Sequence, residues 1–430
     1  MKSTTVDRHI GLLNLAKTLS FLVVFVAGVV VGMTASSQIN RYFVSQAKLY
    51  FYSNMNNHFS AMQIPNPALR NCSSEANLTH GFSDNELFWR ASMVPRRAEY
   101  PFKRVPKVAF MFLTRGPLPL MPLWERFFEG HRKYFSVYVH ALPGFELNVS
   151  MHSAFYKRQI PSKVSWVEES ANLGPGIDVL QWLRVMDRGC MSFQSVEWGT
   201  VALAEAERRL LANALLDFSN ERFVLLSESC IPIYNFPIVY KYLINSDYSF
   251  VESYDDPSRY GRGRYSRNML PNIKLYQWRK GSQWFELSRE LAVNIVADTK
   301  YYTLFKKYCK PSCYPDEHYI QTFLNMFYGS LNANRSVTWV DWSMGGPHPA
   351  TLGAANITEG FIQALRNNGT VCPYNSEKTS VCYLFARKFA PSALEPLLNL
   401  TSKMLQGVLG EILVQGKQPA LSIMAAPGGF

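Results

Sequence analysis

The sequence predicts an α/β protein with a mostly parallel sheet flanked by helices, and three observations lead there. Short apolar runs alternate with stretches of helical period, the succession that builds βαβ units. At 47% hydrophobic, 14% aromatic and 18% charged residues, the 430-residue chain can bury a large core, which excludes disordered, collagenous and coiled-coil proteins. No period of about 20 to 50 residues repeats, which removes solenoids and propellers.

The elements follow in order. Val108 to Thr114 (VAFMFLT) is an apolar run bounded by Pro106 and Gly116-Pro117, hence a buried strand, and LMPLWERFFEGHRKY after it has a helical pattern. FSVYVHA (Phe135 to Ala141) is the next strand, Val201 to Leu216 an amphipathic helix, Arg222 to Glu228 (RFVLLSE) a buried strand and PIVYKYLI a helix. In such a sheet ligands bind beyond the carboxyl ends of the strands, so the loops after Thr114, Ala141, Ser227 and Ser253 are expected to line the site.

Residues 18–35 carry no charge and, at about 1.5 Å each, span ~27 Å as a helix, the length of a short transmembrane segment. Lys2, Arg8 and Lys17 precede it against Asp7 alone, which places residues 1–17 in the cytosol and the remainder in the lumen. A signal peptide cleaved near Ala35 is the alternative. The resulting layout is a tail (1–17), a signal anchor (18–35), a stem (36–104), a catalytic-size domain (105–400) and an irregular tail (401–430). Seven sequons, at Asn71, Asn77, Asn148, Asn334, Asn356, Asn368 and Asn399, are N-glycosylation candidates for a lumenal chain. Six of the seven cysteines, Cys190 set aside, form an even set of the kind secreted proteins oxidise. The Cys309/Cys313 spacing suits a disulfide or buried thiols rather than a metal site.

Three groups of residues can carry chemistry. Glu317, in CYPDEHY at a predicted helix start, is either an ordinary first-turn carboxylate or a general base. The stretch YDDPSRYGRGRYSR (Tyr254 to Arg267) is a solvated loop, a sugar-gripping surface or, less consistently with lumenal topology, a single-stranded nucleic-acid platform. Arg387 and Lys388 in LFARKF, with Arg366 earlier in the chain, are exposed charges or cations that converge on a departing diphosphate. A net charge of +12 favours anionic partners in general. The sequence has no Asp-x-Asp, GxxxxGK[ST], GxSxG or HExxH, so metal-bridged nucleotide binding, P-loop, esterase and zincin chemistries lack their usual marks.

Taken in order, VAFMFLTRG, Val196-Glu197-Trp198-Gly199, RFVLLSESCIP, FVESYDDPSRYGRGRYSR, WRKGSQWFELSRE, CYPDEHY, VDWSMGGPHPATLG and LFARKF resemble the plant branch of the core-2/I-branching β-1,6-N-acetylglucosaminyltransferase family, from about Lys107 to Leu398. The resemblance implies a glycosyltransferase-A fold, in which a Rossmann-like mixed sheet is flanked by helices. It also implies inverting transfer from a UDP-sugar to a glycan acceptor, no cofactor and no divalent metal, and a type II Golgi membrane protein held in the lipid bilayer by its N-terminal helix. By resemblance Glu317 is the catalytic base, and Lys388 and Arg366 bind the donor diphosphate. Leu113, Arg115 and Trp198 border the nucleoside pocket, and Glu252, Arg262, Arg264 and Trp342 contact the acceptor. The same fold with a UDP-pentose, or a non-catalytic carbohydrate-binding protein, are the alternatives; nucleic acid is not an expected partner.

One departure from the family pattern stands out. Ser165 to Ser195, 31 residues, separates IPSKV from VEWGT, and removing them restores IPSKVVEWGT. This clean junction, and the even cysteine count left without Cys190, motivate the hypothesis of a retained intron or gene-model error. Long-read transcripts carrying only the longer form, with enzyme activity intact, would sink it.

Overall fold

The computed structural model describes residues 78, 80–95, 100, 103–162, 199–309 and 313–406. The expected anchor (18–35), most of the stem, the 165–195 segment, Trp198, Asn71, Asn77 and the chain after Gln406 lie outside the described residues. Among the described residues no helix is long and apolar enough to cross a membrane.

The chain forms a mixed α/β unit. In order its elements are α1 (Asp84–Ser92), β1 (Lys107–Leu113), α2 (Met121–Phe128), β2 (Phe135–His140), α3 (Val201–Leu215), β3 (Asn220–Ser227), β4 (Ile231–Pro232), α4 (Phe236–Ile244), β5 (Glu286–Ser288), α5 (Arg289–Ala297), α6 (Lys300–Tyr308), α7 (Pro315–Phe327), β6 (Thr338–Val340), α8 (Glu359–Arg366), β7 (Cys372–Tyr374), β8 (Glu377–Thr379), β9 (Phe385–Arg387) and α9 (Leu394–Gln406). The main sheet has the order β2-β1-β3-β5, the first three strands parallel and β5 antiparallel to β3. A second sheet, β4-β9-β6, pairs β9 antiparallel to β4 and parallel to β6. Register is what makes the site: Leu113 lies opposite His140 on one side and Ser227 on the other, so the three following loops leave the sheet level with one another.

The apolar runs of β1, β2 and β3 are buried on both faces, as expected of strands covered by helices on each side. Successive side chains of β1 alternate between two cores. Ala109, Met111 and Leu113 face the core shared with α1, α3, α5 and α7, whereas Val108, Phe110 and Phe112 face that of α2, α4 and β9. In the second core Phe110 is surrounded by Trp124, Phe127, Phe128, Phe135, Phe236 and Phe385, with centroids 5.0 to 6.5 Å away. The Trp124 indole N–H donates to Cys230 O at 3.1 Å, so the one polar atom of this large side chain is satisfied.

The structure bears on four expectations. Val201–Leu215 is not amphipathic in place, since twelve of its fifteen residues are buried. α1 covers the face that would otherwise meet water, and the helix's polar residues bond internally: Arg209 to Asp84, and Arg208 to the Val296 and Asp298 carbonyls. Inside the span expected as stem (36–104), α1 packs Leu87 and Ala91 into the first core. Within the 401–430 span expected as a tail, α9 continues to Gln406, with Thr401 buried and donating to Leu397 O. Finally, Cys309–Cys313 and Cys372–Cys382 are disulfides, but Cys230 is a buried free thiol among the described residues, its Sγ accepting from Ser227 N–H at 3.2 Å. An even cysteine set therefore gives no support to the removal of Cys190.

Candidate active site

The carboxyl ends of β1, β2, β3 and β9 surround a cleft of about 740 Å³, including the part open to solvent. Leu113, Thr114 and Arg115 enter it from β1, His140 to Leu142 from β2, Ser227 and Glu228 from β3, and Arg387 and Lys388 from β9; Leu203 of α3, with Gln283 and Trp284, forms the remaining wall. Three of the four loops expected to line the site do so. The cleft is cationic: Arg115 and Lys388 form no ion pair among the described residues, and Glu228 is the one carboxylate in the lining. Burial, reinforced by Arg209, pushes the His140 imidazole down to about 4, so it is neutral near pH 7 and contributes no charge.

A second cluster lies along the same peptide that supplies Gln283 and Trp284. The chain from Phe250 to Tyr254 runs antiparallel to Lys280–Glu286, bridged at Phe250/Glu286 and Tyr254/Lys280. On this track Ser282 N–H donates to Glu252 Oε2 at 2.9 Å and Gly281 N–H to Glu317 O at 3.0 Å. Position 281 admits only glycine, because a Cβ there would sit 1.7 Å from Glu252 O. Gln321 Nε2 donates to Ser282 O at 2.9 Å, tying α7 to the track.

Glu317 occupies the first turn of α7, after Tyr314, which takes the left-handed conformation at φ 55°. Arg264 Nη1 donates to Glu317 Oε2 at 2.8 Å while its guanidinium stacks 3.9 Å from the Tyr314 ring, and Lys280 Nζ lies 3.8 Å from the same oxygen. Oε1 forms no hydrogen bond among the described residues, and the side chain is 17% exposed, so one carboxylate oxygen is held and the other is open. The next residue, His318, is locked by Arg279 O at 2.7 Å and by stacking on Trp278. Burial pushes its imidazole down to about 3, with Arg264 and Lys280 adding. Burial also pushes the Glu252 carboxyl up, against Ser282 N–H and Lys280, with the Glu317 charge adding to the rise.

A cation-lined cleft at strand ends, one track away from a half-held carboxylate, is a geometry for binding an anionic ligand beside a proton acceptor. Comparison with known proteins supplies the family. The family model for the Core-2/I-Branching enzyme matches residues 108–174 and 187–366. The rice (Oryza sativa subsp. japonica) protein Glycosyltransferase BC10 is 33% identical over 340 residues, covering 69% of this chain and 76% of the relative. The chain belongs to the core-2/I-branching glycosyltransferase family. The family match holds β1 to β3 and Glu317, is interrupted at 175–186 inside the 165–195 segment, and ends before β9.

Of the residues expected from the resemblance, the structure gathers Leu113, Arg115 and Lys388 at the cleft, and Glu252, Arg264 and Glu317 along the adjoining track. Trp342, 50% exposed, is in the loop after β6; Ala350 N–H closes this loop on Asp341 O, and Leu352 N–H then bonds Lys388 O, so the loop borders the cleft rim. Arg262 forms an exposed bidentate pair with Asp255. Arg366 does not reach the cleft. Its Nε donates to Ile233 O at 2.5 Å, beside the start of β9 at Leu384, whereas Lys388 follows the other end of that strand. The five described sequon asparagines, 148, 334, 356, 368 and 399, are exposed. Sequence reading missed His140, Glu228, Gln283 and Trp284. The rule that ligands sit at strand ends would have found His140 and Glu228, while the other two come from a loop with no local signal.

Proposed function

We propose that the protein transfers a sugar, N-acetylglucosamine, from a UDP-sugar to a glycan hydroxyl by a single inverting displacement that needs no divalent metal. The observation that carries this reading is the track Lys280–Trp284, which joins the cationic cleft to Glu317 within five residues. In it the donor lies in the cleft, its uridine near Leu113 and Arg115 and its diphosphate beside Lys388. Glu317 Oε1 takes the proton of the acceptor hydroxyl as that oxygen attacks the anomeric carbon, and the bond to the departing UDP oxygen breaks. Arg264 keeps the carboxylate oriented through Oε2, and cations at the cleft stabilise the charge that develops on UDP, the task a metal ion performs elsewhere. Glu252 and the exposed rim around Trp342 provide polar and stacking contacts for the acceptor.

This reading places the enzyme on the lumenal side of the Golgi membrane, anchored through residues 18–35. Retention of the full chain in the membrane pellet after alkaline carbonate extraction is the expected result. Function is tested with the full chain in EDTA, assayed with UDP-N-acetylglucosamine and UDP-pentoses over a glycan acceptor panel. Turnover that survives EDTA and is lost in Glu317→Gln with UDP binding kept supports the mechanism. UDP-independent glycan binding that is indifferent to Glu317→Gln would instead mark a non-catalytic carbohydrate-binding protein.

A further inference from the structure

Six arginines are buried among the described residues: Arg208, Arg209, Arg222, Arg289, Arg366 and Arg387. Five of them give their guanidinium hydrogens to oxygen. Arg222 forms a bidentate pair with Glu286 at 2.7 Å, Arg209 bonds Asp84, and Arg208, Arg289 and Arg366 bond backbone carbonyls. Arg387 is the exception. It is 8% exposed, Nε has no partner, and no oxygen among the described residues accepts from the guanidinium. A guanidinium carries five N–H donors, and buried charges in folded proteins are paired and hydrogen-bonded because desolvating them otherwise costs several kcal/mol.

The position of this side chain explains the exception. Arg387 lines the cleft at the end of β9, next to Lys388, with its guanidinium 4.0 Å from the Trp284 ring. The indole face supplies cation–π attraction and fixes the plane of the fork without consuming any of its hydrogens. Cys230 accepts only weakly through sulfur, the Glu228 charge favours the cation without a hydrogen bond to it, and burial, the largest influence, pulls the guanidinium below its usual range. A rigid planar cation, largely buried, with Nε unpartnered and no oxygen among the described residues accepting from its terminal nitrogens, is organised for an external anion with two acceptor oxygens.

We propose that Arg387, and not Arg366, is the buried arginine that binds the donor's diphosphate, with Lys388 and Arg115 as the more exposed cations around it. The identity of the anion rests on the UDP-sugar reading above; the existence of an anion site at Arg387 does not.

The experiment is calorimetry on the purified full chain with UDP, uridine and inorganic pyrophosphate, using Arg387→Met, Arg387→Lys and Arg366→Met. The native chain is expected to bind UDP at least about tenfold tighter than uridine, a factor typical of charge-assisted bonds to phosphate, with pyrophosphate competing. Arg387→Met is expected to bring UDP to within about threefold of uridine and to leave uridine itself unchanged, Arg387→Lys to fall between, and Arg366→Met to keep the native ratio. The melting temperature without ligand separates a binding arginine from a structural one. Removing an unpaired buried charge that serves a ligand leaves it level or raises it. A drop in melting temperature, or failure of Arg387→Met to fold, overturns the proposal by making the guanidinium part of the fold. It is equally overturned if the UDP to uridine ratio survives in Arg387→Met, or if Arg366→Met abolishes it; UDP binding by either protein then leaves the donor reading standing. Pyrophosphate binding that depends on Arg387 without any preference for uridine compounds keeps the anion site and removes the UDP-sugar reading. No binding of either anion removes both.

Discussion

The cleft at the strand ends and the surface around Glu317 share one peptide, Lys280–Trp284, but they treat charge in opposite ways. In the cleft, cations lack oxygen partners among the described residues: Arg115 and Lys388 form no ion pair, and Arg387 is met by the Trp284 ring rather than by an oxygen. Around Glu317 a carboxylate is already answered by Arg264 at 2.8 Å and Lys280 at 3.8 Å, with one oxygen left open. The first arrangement leaves positive charge uncompensated by any oxygen among the described residues. The second is complete in the free protein and fixes the direction of an oxygen. This difference separates a region whose energetics favour binding from one whose geometry favours a proton transfer in a defined direction.

Gly281→Ala breaks both regions at once and has the largest expected effect. A Cβ 1.7 Å from Glu252 O forces the two antiparallel segments apart. We expect destabilisation of more than about 4 kcal/mol, read as a shift in the denaturant midpoint, with nucleotide binding and turnover lost together. Glu317→Gln sharpens the contrast. Turnover should fall by about 10²- to 10⁴-fold, the usual contribution of a general base, while UDP affinity in calorimetry stays within about twofold. Lys388→Ala should do the reverse in part, weakening UDP by about tenfold through a lost charge-assisted contact while uridine binding is kept; equal loss for both ligands would deny Lys388 a role at the phosphates.

Acid titration addresses a feature the two regions have in common, a buried neutral histidine in each. His140 and His318 are depressed to about 4 and about 3. Their unfolded-state value is near 6.5, so below it the unfolded chain takes up protons that the folded chain refuses. The stability they confer is complete above about pH 6.5 and declines as the pH falls toward the folded values, by up to about 1.4 kcal/mol per histidine for each unit. Glu207 opposes this trend. Burial, with Asp316 adding, raises its carboxyl well above 4.5, so it costs stability as the pH rises past 4.5. Denaturant midpoints between pH 4 and 8 should therefore show a steeper acid-side loss in Glu207→Gln than in the native chain. The smallest effect is expected at Arg262, which is held in an exposed pair with Asp255. Arg262→Ala should leave melting temperature and turnover unchanged, whereas a large fall in acceptor affinity would bring that arginine back among the acceptor contacts.

Much of this was legible in the chain itself. The strands β1, β2 and β3 stood out because apolar residues buried on both faces need no alternation, and their ends fell within one or two residues of the expected ones. Glu317 was singled out by Pro315 and Asp316, which mark a helix start whatever surrounds it. The place of Arg366 was not legible, because a cation in the sequence carries no record of its partner. Only the pairing of Ile233 with Leu384 shows that it lies beside the opposite end of β9 from Lys388. Likewise Val201–Leu215 reads as amphipathic since Glu207, Arg208 and Arg209 are polar, yet α1 and α5 enclose that face and convert surface residues into internal ligands.

The sequence by itself determined the strand–helix alternation, the family and the place of Glu317 at the head of α7, all of which follow from local pattern and motif order. Which cations face the cleft, which carboxylate oxygen is open, and that Arg387 lacks an oxygen partner were decided by tertiary structure. The physical reason is that periodicity and capping act over a few residues, whereas the compensation of a charge depends on atoms brought together from distant parts of the chain. Here Trp284 and Arg387, about a hundred residues apart, meet at 4.0 Å, and it is this contact that gives the arginine its place in the cleft.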